Sequence, residues 1–576
     1  MTRTLCSARI GIRTAALLAA FASSSWAASI ADKIAPDTPK TGDAEVIVQF
    51  RTAPSFRHHS RVMRLGGSLH GVLGSVNAGV YHVPASAIAA LAADDEVVHI
   101  SPDHAVHGTL EYAEPTVNAN IAFQYGFDGT GVGVAVIDSG ISNSDDLNAS
   151  RSSRIVYSQS FVGNGTTDAY GHGEHVAGII GGNAFHSSGP TAIHTFRGIA
   201  PNSNLINLRV LDGDGNGTDS GVIAALQTAI ALKSKYNIRI VNLSLGRSIS
   251  ESYTLDPLCQ AVEQAWRAGL VVVVAAGNGG RDNDQGQNGY GTILAPGNDP
   301  YVITVGAMKD ESTVIRSDDQ IASYSSKGPT AIDHIVKPDI LAPGNRIISL
   351  QSLGASLETM APANIPLVSY YIQNGPNAPS TNYFTLSGTS MAAPMVSGAA
   401  ALLLQKNPAL TPDQVKAKLM LSATKNFPAY TVSTDPTTGQ SYTSQYDIFT
   451  VGAGYLDAWA ALNTSDPPMG SAASPAAVLN ALTGVPKLMD TNLIAGLPTL
   501  TSIPILSNST VWGSSTVWGS STVWGSSTVW GSSVLAPDST VWGSSFIGAS
   551  STVWGSSAPA ADPNVSSSHV ELNGEN

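Results

Sequence analysis

Three short stretches of this chain carry side chains that acyl transfer requires. Asp138 stands in Val-Ile-Asp-Ser-Gly, His172 in Gly-His-Gly-Glu-His-Val-Ala-Gly, and Ser390 in Ser-Gly-Thr-Ser-Met-Ala-Ala-Pro. A serine hydroxyl is a weak nucleophile in water. To attack a carbonyl it needs a base that takes its proton, a carboxylate that holds the base in the useful tautomer, and donors where the oxyanion forms. One aspartate, one histidine and one serine in these contexts provide acid, base and nucleophile. His172 and His175 are three residues apart and could sit on one helix face as metal ligands, but no full zinc pattern of the His-Glu-x-x-His kind surrounds them.

With the chain order Asp, His, Ser, these motifs resemble those of the subtilisin-like serine proteases, the subtilases; trypsin-like and α/β-hydrolase enzymes use other orders. The resemblance covers roughly residues 45 to 462. It implies that Asp138 orients His172, that His172 is the general base, that Ser390 is the nucleophile and that His175 is structural. Asn278, in Ala-Ala-Gly-Asn-Gly, matches the family position whose side-chain amide stabilises the tetrahedral intermediate together with the backbone N–H of Ser390. Gly215-Asn216-Gly217, Ser244-Leu245-Gly246 and Ala275-Ala276-Gly277 resemble the walls of the family's substrate cleft, and their small residues imply a roomy, mainly apolar pocket with broad specificity. Two positions depart from the pattern. Glu174 stands where the family commonly has Thr, and a carboxylate there either perturbs the base and its contacts or points into solvent. Met395 follows Ala-Ala-Pro where a His is frequent, a packing variation. A sedolisin-like acid peptidase would share Ser-Gly-Thr-Ser but use Glu in place of His172.

The elements that must position these groups alternate. Short apolar β-branched runs at Val134–Ile137, Leu205–Leu211, Ile238–Leu245, Leu270–Ala276 and Tyr301–Ala307 are separated by helical stretches at Ser220–Tyr236, Leu258–Arg267, Ser390–Gln405 and Thr411–Ser422. The expected fold is α/β: a subtilisin-like doubly wound, mainly parallel sheet with helices on both faces, with catalytic groups at the carboxyl ends of strands. Asp138 and Asn278 each follow such a run. Asp212-Gly-Asp-Gly-Asn-Gly217 opens like a calcium loop, yet Ile223 occupies the twelfth position, where a bidentate Glu is required. The segment fits better as a cleft-lining loop with Asp219 or Ser220 capping the next helix.

Upstream, Glu45–Phe50, a middle stretch and Gly79–Ile100 read as strand, helix, strand, helix, strand, a small α+β unit. Its place resembles a subtilase propeptide over residues 29–110, which assists folding and inhibits the enzyme until removed, with a boundary between His104 and Glu114. Arg3, Arg9 and Arg13 followed by the apolar Ala15–Ala22 and small residues near Ser25-Trp-Ala27 read as a signal peptide over residues 1–28, hence secretion or display at the cell surface. The catalytic region is expected at 111–462 and a linker at 463–509. Residues 510–557 divide into eight hexads, six of them Thr-Val-Trp-Gly-Ser-Ser, followed by a tail at 558–576. The Trp spacing is a multiple of six, so extended structure would put every ring on one side, as a ribbon for glycan, cell-envelope or protein contact or as stacked short β-helical coils; the Gly and Ser content equally suits a flexible surface tail.

The formal charge of −13 becomes −16 without the three leader arginines, which argues against nucleic acid as a partner. Protein or peptide substrates and the chain's own propeptide are the expected partners. No cofactor is needed for the chemistry, while the resemblance leaves structural calcium open, because many relatives hold it in irregular loops. Cys259 is the single cysteine outside the leader and reads as a small buried apolar residue. The competing function is that of a surface binding or adhesive protein with a protease-like scaffold.

Overall fold

The computed structural model describes residues 30, 33–35, 38–73, 77–102, 110–149, 152–283, 286–435, 439–479, 486–489, 572, 574 and 575. The expected signal peptide, the hexads and most of the expected propeptide boundary lie outside the described residues. The chain divides into two compact units, residues 1–106 and 107–576.

In the first unit four antiparallel strands lie in the order Ser68–Leu73, Ala78–Pro84, Asp43–Phe50, Val97–Pro102, accompanied by helices Phe56–Arg64 and Ala85–Ala92. Strict alternation drives the central strand: Ala44, Val46, Val48 and Phe50 are buried, and their neighbours face outward. The strand Ser68–Leu73, absent from the sequence expectation, is an edge strand with no fully buried residue. Its Ser-Leu-His-Gly composition gives little apolar signal.

The second unit is built on an eight-stranded sheet. Its path runs Gln320–Ile321, Ile303–Lys309, Val271–Ala275, Ile238–Leu243, Gly133–Asp138, Asn204–Arg209, Ile155–Ser160, and Ile340–Pro343 also pairs with Ile303–Lys309. Every pairing is parallel except that of Gln320–Ile321. The central strands are buried throughout, as their unbroken Val and Ile runs require of a sheet covered on both faces. The five strands expected from apolar runs all form. The half-polar Ile155–Ser160 was not among them, since at the sheet edge it has no buried residue to mark it. After Gly133–Asp138 the chain builds one flank and then crosses to the other, so the carboxyl end of this strand is a topological switch point, and Asp138 is its last residue.

The helix Thr389–Lys406 is buried from Thr389 to Leu404. Its Ala- and Leu-rich surface packs against strands Ile238–Leu243, Val271–Ala275 and Ile303–Lys309 and against helix His172–Gly181. Thr411 caps Pro412–Ser422 through a capping box with Gln414, as the Thr-Pro-Asp-Gln start suggests. Helix Asp219–Tyr236 is capped by Thr218, whose hydroxyl accepts from Gly221 N, rather than by Asp219 or Ser220; Asp219 is engaged instead by Arg247 Nε at 2.9 Å. Cys259 is fully buried with its thiol directed at Asn298. Among the described residues no helix is long and apolar enough to cross a membrane.

The composition shift at Asn463 does not end the packed structure. Ala472, Ala473 and Ser474 are buried, and Ser474 Oγ donates to Asp339 Oδ1 at 2.6 Å. Asp339 also accepts from Lys337 Nζ at 2.7 Å and pairs with Lys416 Nζ at 3.2 Å, all three side chains having no exposure. Burial alone would raise the Asp339 carboxyl, but the two ammonium charges outweigh it and hold it below the usual range; burial pushes Lys416 down to about 7. Removing the carboxylate takes the counter-charge from two buried lysines that otherwise meet backbone carbonyls and, for Lys416, Ser474 Oγ. In a Ser390→Ala background, which removes self-digestion as a complication, Asp339→Ala is expected to lower the unfolding free energy by about 3–5 kcal/mol. Guanidinium titration checks this, and a loss below about 1 kcal/mol, the range of an exposed pair, contradicts it.

Candidate active site

Asp138, at 1% exposure, accepts from Ser139 N at 2.8 Å and from His172 Nδ1 at 2.7 Å. The bond to a carboxylate fixes the proton on Nδ1 and leaves Nε2 as the basic ring nitrogen. His172 opens the helix His172–Gly181, whose first turn has no capping side chain at Gly171. Asp168 takes that role: its Oδ1 accepts from Gly171 N at 2.7 Å and its Oδ2 from Glu174 N at 2.7 Å, satisfying N–H groups that a helix start leaves open. Ser139 Oγ joins the two carboxylates, donating to Asp168 Oδ1 at 2.8 Å and lying 3.3 Å from Asp138 Oδ1, while Gly173 N donates to it at 2.9 Å. No side chain fits at position 173, because a β-carbon would run into Gly140 O. The backbone between His172 and Glu174 is thereby pressed onto the end of the strand that carries Asp138.

Glu174 does not reach solvent. It is fully buried, with Oε2 accepting from Ser142 N at 2.5 Å. Burial first, then the charges of Asp168 and Asp146, push its carboxyl well above the usual range, which favours the protonated form. His175 is also fully buried, its Nε2 at 3.0 Å from Ile347 O and 3.1 Å from Phe384 O. Burial, reinforced by His172, depresses it to about 3, which keeps it a neutral bridge between two backbone segments.

Ser390 lies in the first turn of its helix and is 7% exposed. Pro394, four residues on, has no N–H to give the Ser390 carbonyl. Ser244 supplies the missing donor: its Oγ donates to Ser390 O at 2.8 Å, and Ser390 Oγ donates back to Ser244 O at 3.2 Å. Ser244 Oγ in turn accepts from Asn242 Nδ2 at 3.0 Å, and Asn242 Oδ1 accepts from Ser397 Oγ at 2.8 Å, tying strand end and helix together inside the core. Asn278 Oδ1 accepts from Thr389 N at 2.9 Å and lies 3.2 Å from Thr389 Oγ1. With its oxygen held there, the amide presents Nδ2 as the outward donor.

The three expected wall segments have separate anchors. Ser244–Gly246 is joined to Ser390 as described. Gly277 N donates to Thr389 Oγ1 at 3.0 Å, extending buried Ala275 and Ala276 toward the helix start. Gly215 lies over the Tyr170 ring, with Asn216 and Gly217 exposed beside it. Asp212 Oδ1 accepts from Asp214 N and Asn216 N, both at 2.9 Å, so this carboxylate closes its own loop. Among the described residues no group of three or more His, Cys, Asp or Glu side chains is placed to hold a metal ion. Sequence reasoning missed Leu294, whose side chain stands against both Gly246 and Gly277 and narrows the gap between two of the walls. It also missed Asp168, which only its three-dimensional partners reveal.

The parallel sheet thus carries a buried Asp–His pair at its switch point, and the helix that opens with His172 packs against the helix that carries Ser390. The chain belongs to the subtilase family, whose model matches residues 129–482. It is 41% identical over 303 residues to serine protease AprX of Bacillus subtilis, covering 50% of this chain and 61% of AprX, and so spans less than two thirds of that relative. Subtilisin DY of Bacillus licheniformis is 33% identical over 317 residues, covering 55% of this chain and 92% of the relative. A crystal structure of a cold adapted subtilisin-like serine proteinase matches with 31% identity and a TM-score of 0.36, over 52% of this chain and 85% of that one.

Glu174 gives the site a pH signature. Because its folded pKa lies above the unfolded value, its contribution to stability is complete below the ordinary glutamate range and is lost as pH rises toward the folded pKa. Glu174→Gln keeps the size and the acceptor for Ser142 N without that loss. In the Ser390→Ala background its Tm is expected to exceed that of the parent by several degrees at pH 8, with the gap closing toward pH 4. A gap independent of pH would contradict a buried neutral acid.

Proposed function

We propose that this chain is an exported serine endopeptidase that cleaves proteins through an acyl-enzyme on Ser390. The observation that carries the reading is the 2.7 Å bond between buried Asp138 and His172 Nδ1, which prepares Nε2 as a base on a helix packed against the one that carries Ser390. In this mechanism the Ser390 hydroxyl turns from Ser244 O to His172 Nε2, gives up its proton there, and its oxygen bonds to the substrate carbonyl carbon. The negative charge that develops on the carbonyl oxygen is met by Asn278 Nδ2–H and by the Ser390 N–H, which a helix start leaves without an internal acceptor. His172 then returns the proton to the leaving amine as the C–N bond breaks, and next activates the water that hydrolyses the ester. Asp138 stays ionised and stabilises the imidazolium.

The walls Gly215–Gly217, Ser244–Gly246 and Ala275–Gly277 bind the acyl side of the substrate as an added extended strand. Leu294 between Gly246 and Gly277 favours a small or medium apolar side chain there over a large ring. The segment 29–110, whose described part has a hydrophobic core of its own, acts as a propeptide that is cut away during maturation. The apolar leader and the acidic charge fit an extracellular enzyme.

Hydrolysis of unfolded casein by wild type and Ser390→Ala across pH, followed on gels for loss of the first unit, tests the whole reading. Wild type is expected to lose that unit and cleave at neutral or alkaline pH, while Ser390→Ala stays full length and inert. Activity confined to acid would favour the sedolisin-like chemistry, and inertness of wild type after forced removal of the first unit would favour the adhesive alternative. Asn278→Ala is expected to lower kcat by about 10²–10³ with little change in KM, a magnitude carried over from an amide in this family. Leu294→Gly is expected to raise kcat/KM about tenfold for substrates with Phe at the acyl-side residue relative to Ala. Equal kcat/KM for the two substrates before and after that change would remove Leu294 from the pocket.

A further inference from the structure

The last described residues of the chain, Leu572, Gly574 and Glu575, lie against the catalytic sheet's unit in a site built to receive them. Glu575 is only 4% exposed. Its Oε1 accepts from Arg281 Nη2 at 2.7 Å, from Ser323 N at 2.9 Å and from Ser323 Oγ. Its backbone is read as well: Glu575 N donates to Asn345 Oδ1 at 2.8 Å, and Asn345 Nδ2 donates to Glu575 O at 2.8 Å. Asn364 Nδ2 donates to Leu572 O at 2.5 Å, and the Leu572 side chain packs on the main core. Gly574 has φ +58°, and a β-carbon on it would collide with Ser387 Oγ.

The receptor is organised from its own side. Arg281 is held by Asp435 at 2.8 Å through Nη1, by Ser323 Oγ at 2.7 Å through Nε, and over the Tyr442 ring at 4.9 Å, which aims Nη2 at the incoming carboxylate. A fixed guanidinium recognises a carboxylate at less entropic cost than a free one. Two of its segments adjoin the site: Arg281 follows Asn278 by three residues, and Ser387 precedes Ser390 by three. Three residues span at most about 11 Å of chain. None of the contact residues belongs to the walls 215–217, 244–246 and 275–277.

We propose that Arg281, Ser323, Asn345, Asn364 and Ser387 form a second peptide-binding subsite beside Ser390, selective for a Leu-x-Gly-Glu segment, which the chain fills with its own Leu572, Gly574 and Glu575. Competition with substrate rests on the peptidase reading: because the other walls hold the acyl side, the tail occupies the leaving-group flank and must be displaced by substrates that extend across it. Binding itself does not depend on that reading.

The test uses the full chain. In the Ser390→Ala background, Glu575→Ala empties the subsite, and a fluorescein-labelled peptide of residues 568–576 is titrated by anisotropy. The emptied chain is expected to bind the peptide at least tenfold more tightly than the chain with its tail intact, and peptides carrying Glu575→Gln or Gly574→Ala are expected to bind at least tenfold more weakly. Equal binding to both chains, equal binding of all three peptides, or no saturation by about 1 mM peptide overturns the proposal. In the active chain Glu575→Ala is expected to lower KM several-fold for a peptide that extends past the scissile bond, and to leave both kcat and the kinetics of a p-nitroanilide unchanged. Unchanged KM for the long peptide, with tight peptide binding, would move the subsite off the leaving-group flank. Absence of all hydrolysis would refute the peptidase reading, while the anisotropy still decides whether the subsite exists.

Discussion

A carboxylate with 1% exposure at the end of a buried strand is the constraint around which the second unit is arranged. A buried carboxylate needs hydrogen-bond donors, and Asp138 takes them from Ser139 N and His172 Nδ1, with Ser139 Oγ 3.3 Å away. Each donor is itself fixed. Ser139 Oγ is shared with Asp168 and Gly173 N, and His172 is set by the helix start that Asp168 caps. Asp168 is pushed upward by burial despite those donors, with Asp138 adding to the rise. Glu174, fully buried beside them, is pushed upward first by burial and then by the charge of Asp168.

On the other side of the site the governing feature is a missing hydrogen bond. Pro394 interrupts the ladder of a helix buried over nearly its whole length, and the orphaned carbonyl belongs to Ser390 itself. Ser244 answers it from the adjacent strand end, which places the loop Ser244–Gly246 in fixed relation to the serine. The chain Ser397, Asn242, Ser244, Ser390 is therefore a fully paired buried network, the kind that specifies one arrangement rather than merely adding stability. Thr389 does the same for Gly277 and Asn278, so serine, amide donor and two walls share one helix turn as their reference.

How much of this was legible in the sequence depended on whether the signal was local. Unbroken runs such as Val271–Ala275 announce a sheet covered on both faces, and the motifs around Asp138, His172 and Ser390 point to a chemistry before any geometry is known. Ile155–Ser160 and Ser68–Leu73 escaped because these two edge strands bury no residue completely and so lose the pattern that marks their neighbours. Thr218 escaped as a cap because Asp219 and Ser220 are equally good capping types; in the fold Asp219 is the first helical residue, paired with Arg247. The composition change at Asn463 suggested a linker, yet Ser474 is needed by Asp339, a demand that arises only when Lys337 and Lys416 are brought to the same carboxylate. Leu294 and Glu575 carry no local signal at all, since their partners lie far away along the chain.

The two sides of the site differ in how much freedom they leave. Around His172 nearly every backbone group of the helix start has a buried partner, and Gly173 has no room to move, so a change there would disturb the base directly. Around Ser387 the contacts are made by Asn345, Arg281 and Ser323, polar side chains that would be left facing solvent if Leu572, Gly574 and Glu575 departed, at a cost that water can largely repay. A ligand can therefore come and go on that flank without altering the Asp138–His172 bond or the Ser244–Ser390 pair. Occupancy by the tail would restrict which substrates reach Ser390 while leaving the chemistry of bond cleavage intact, and this separation follows from where the buried polar groups are paired within the core and where they are paired by the tail.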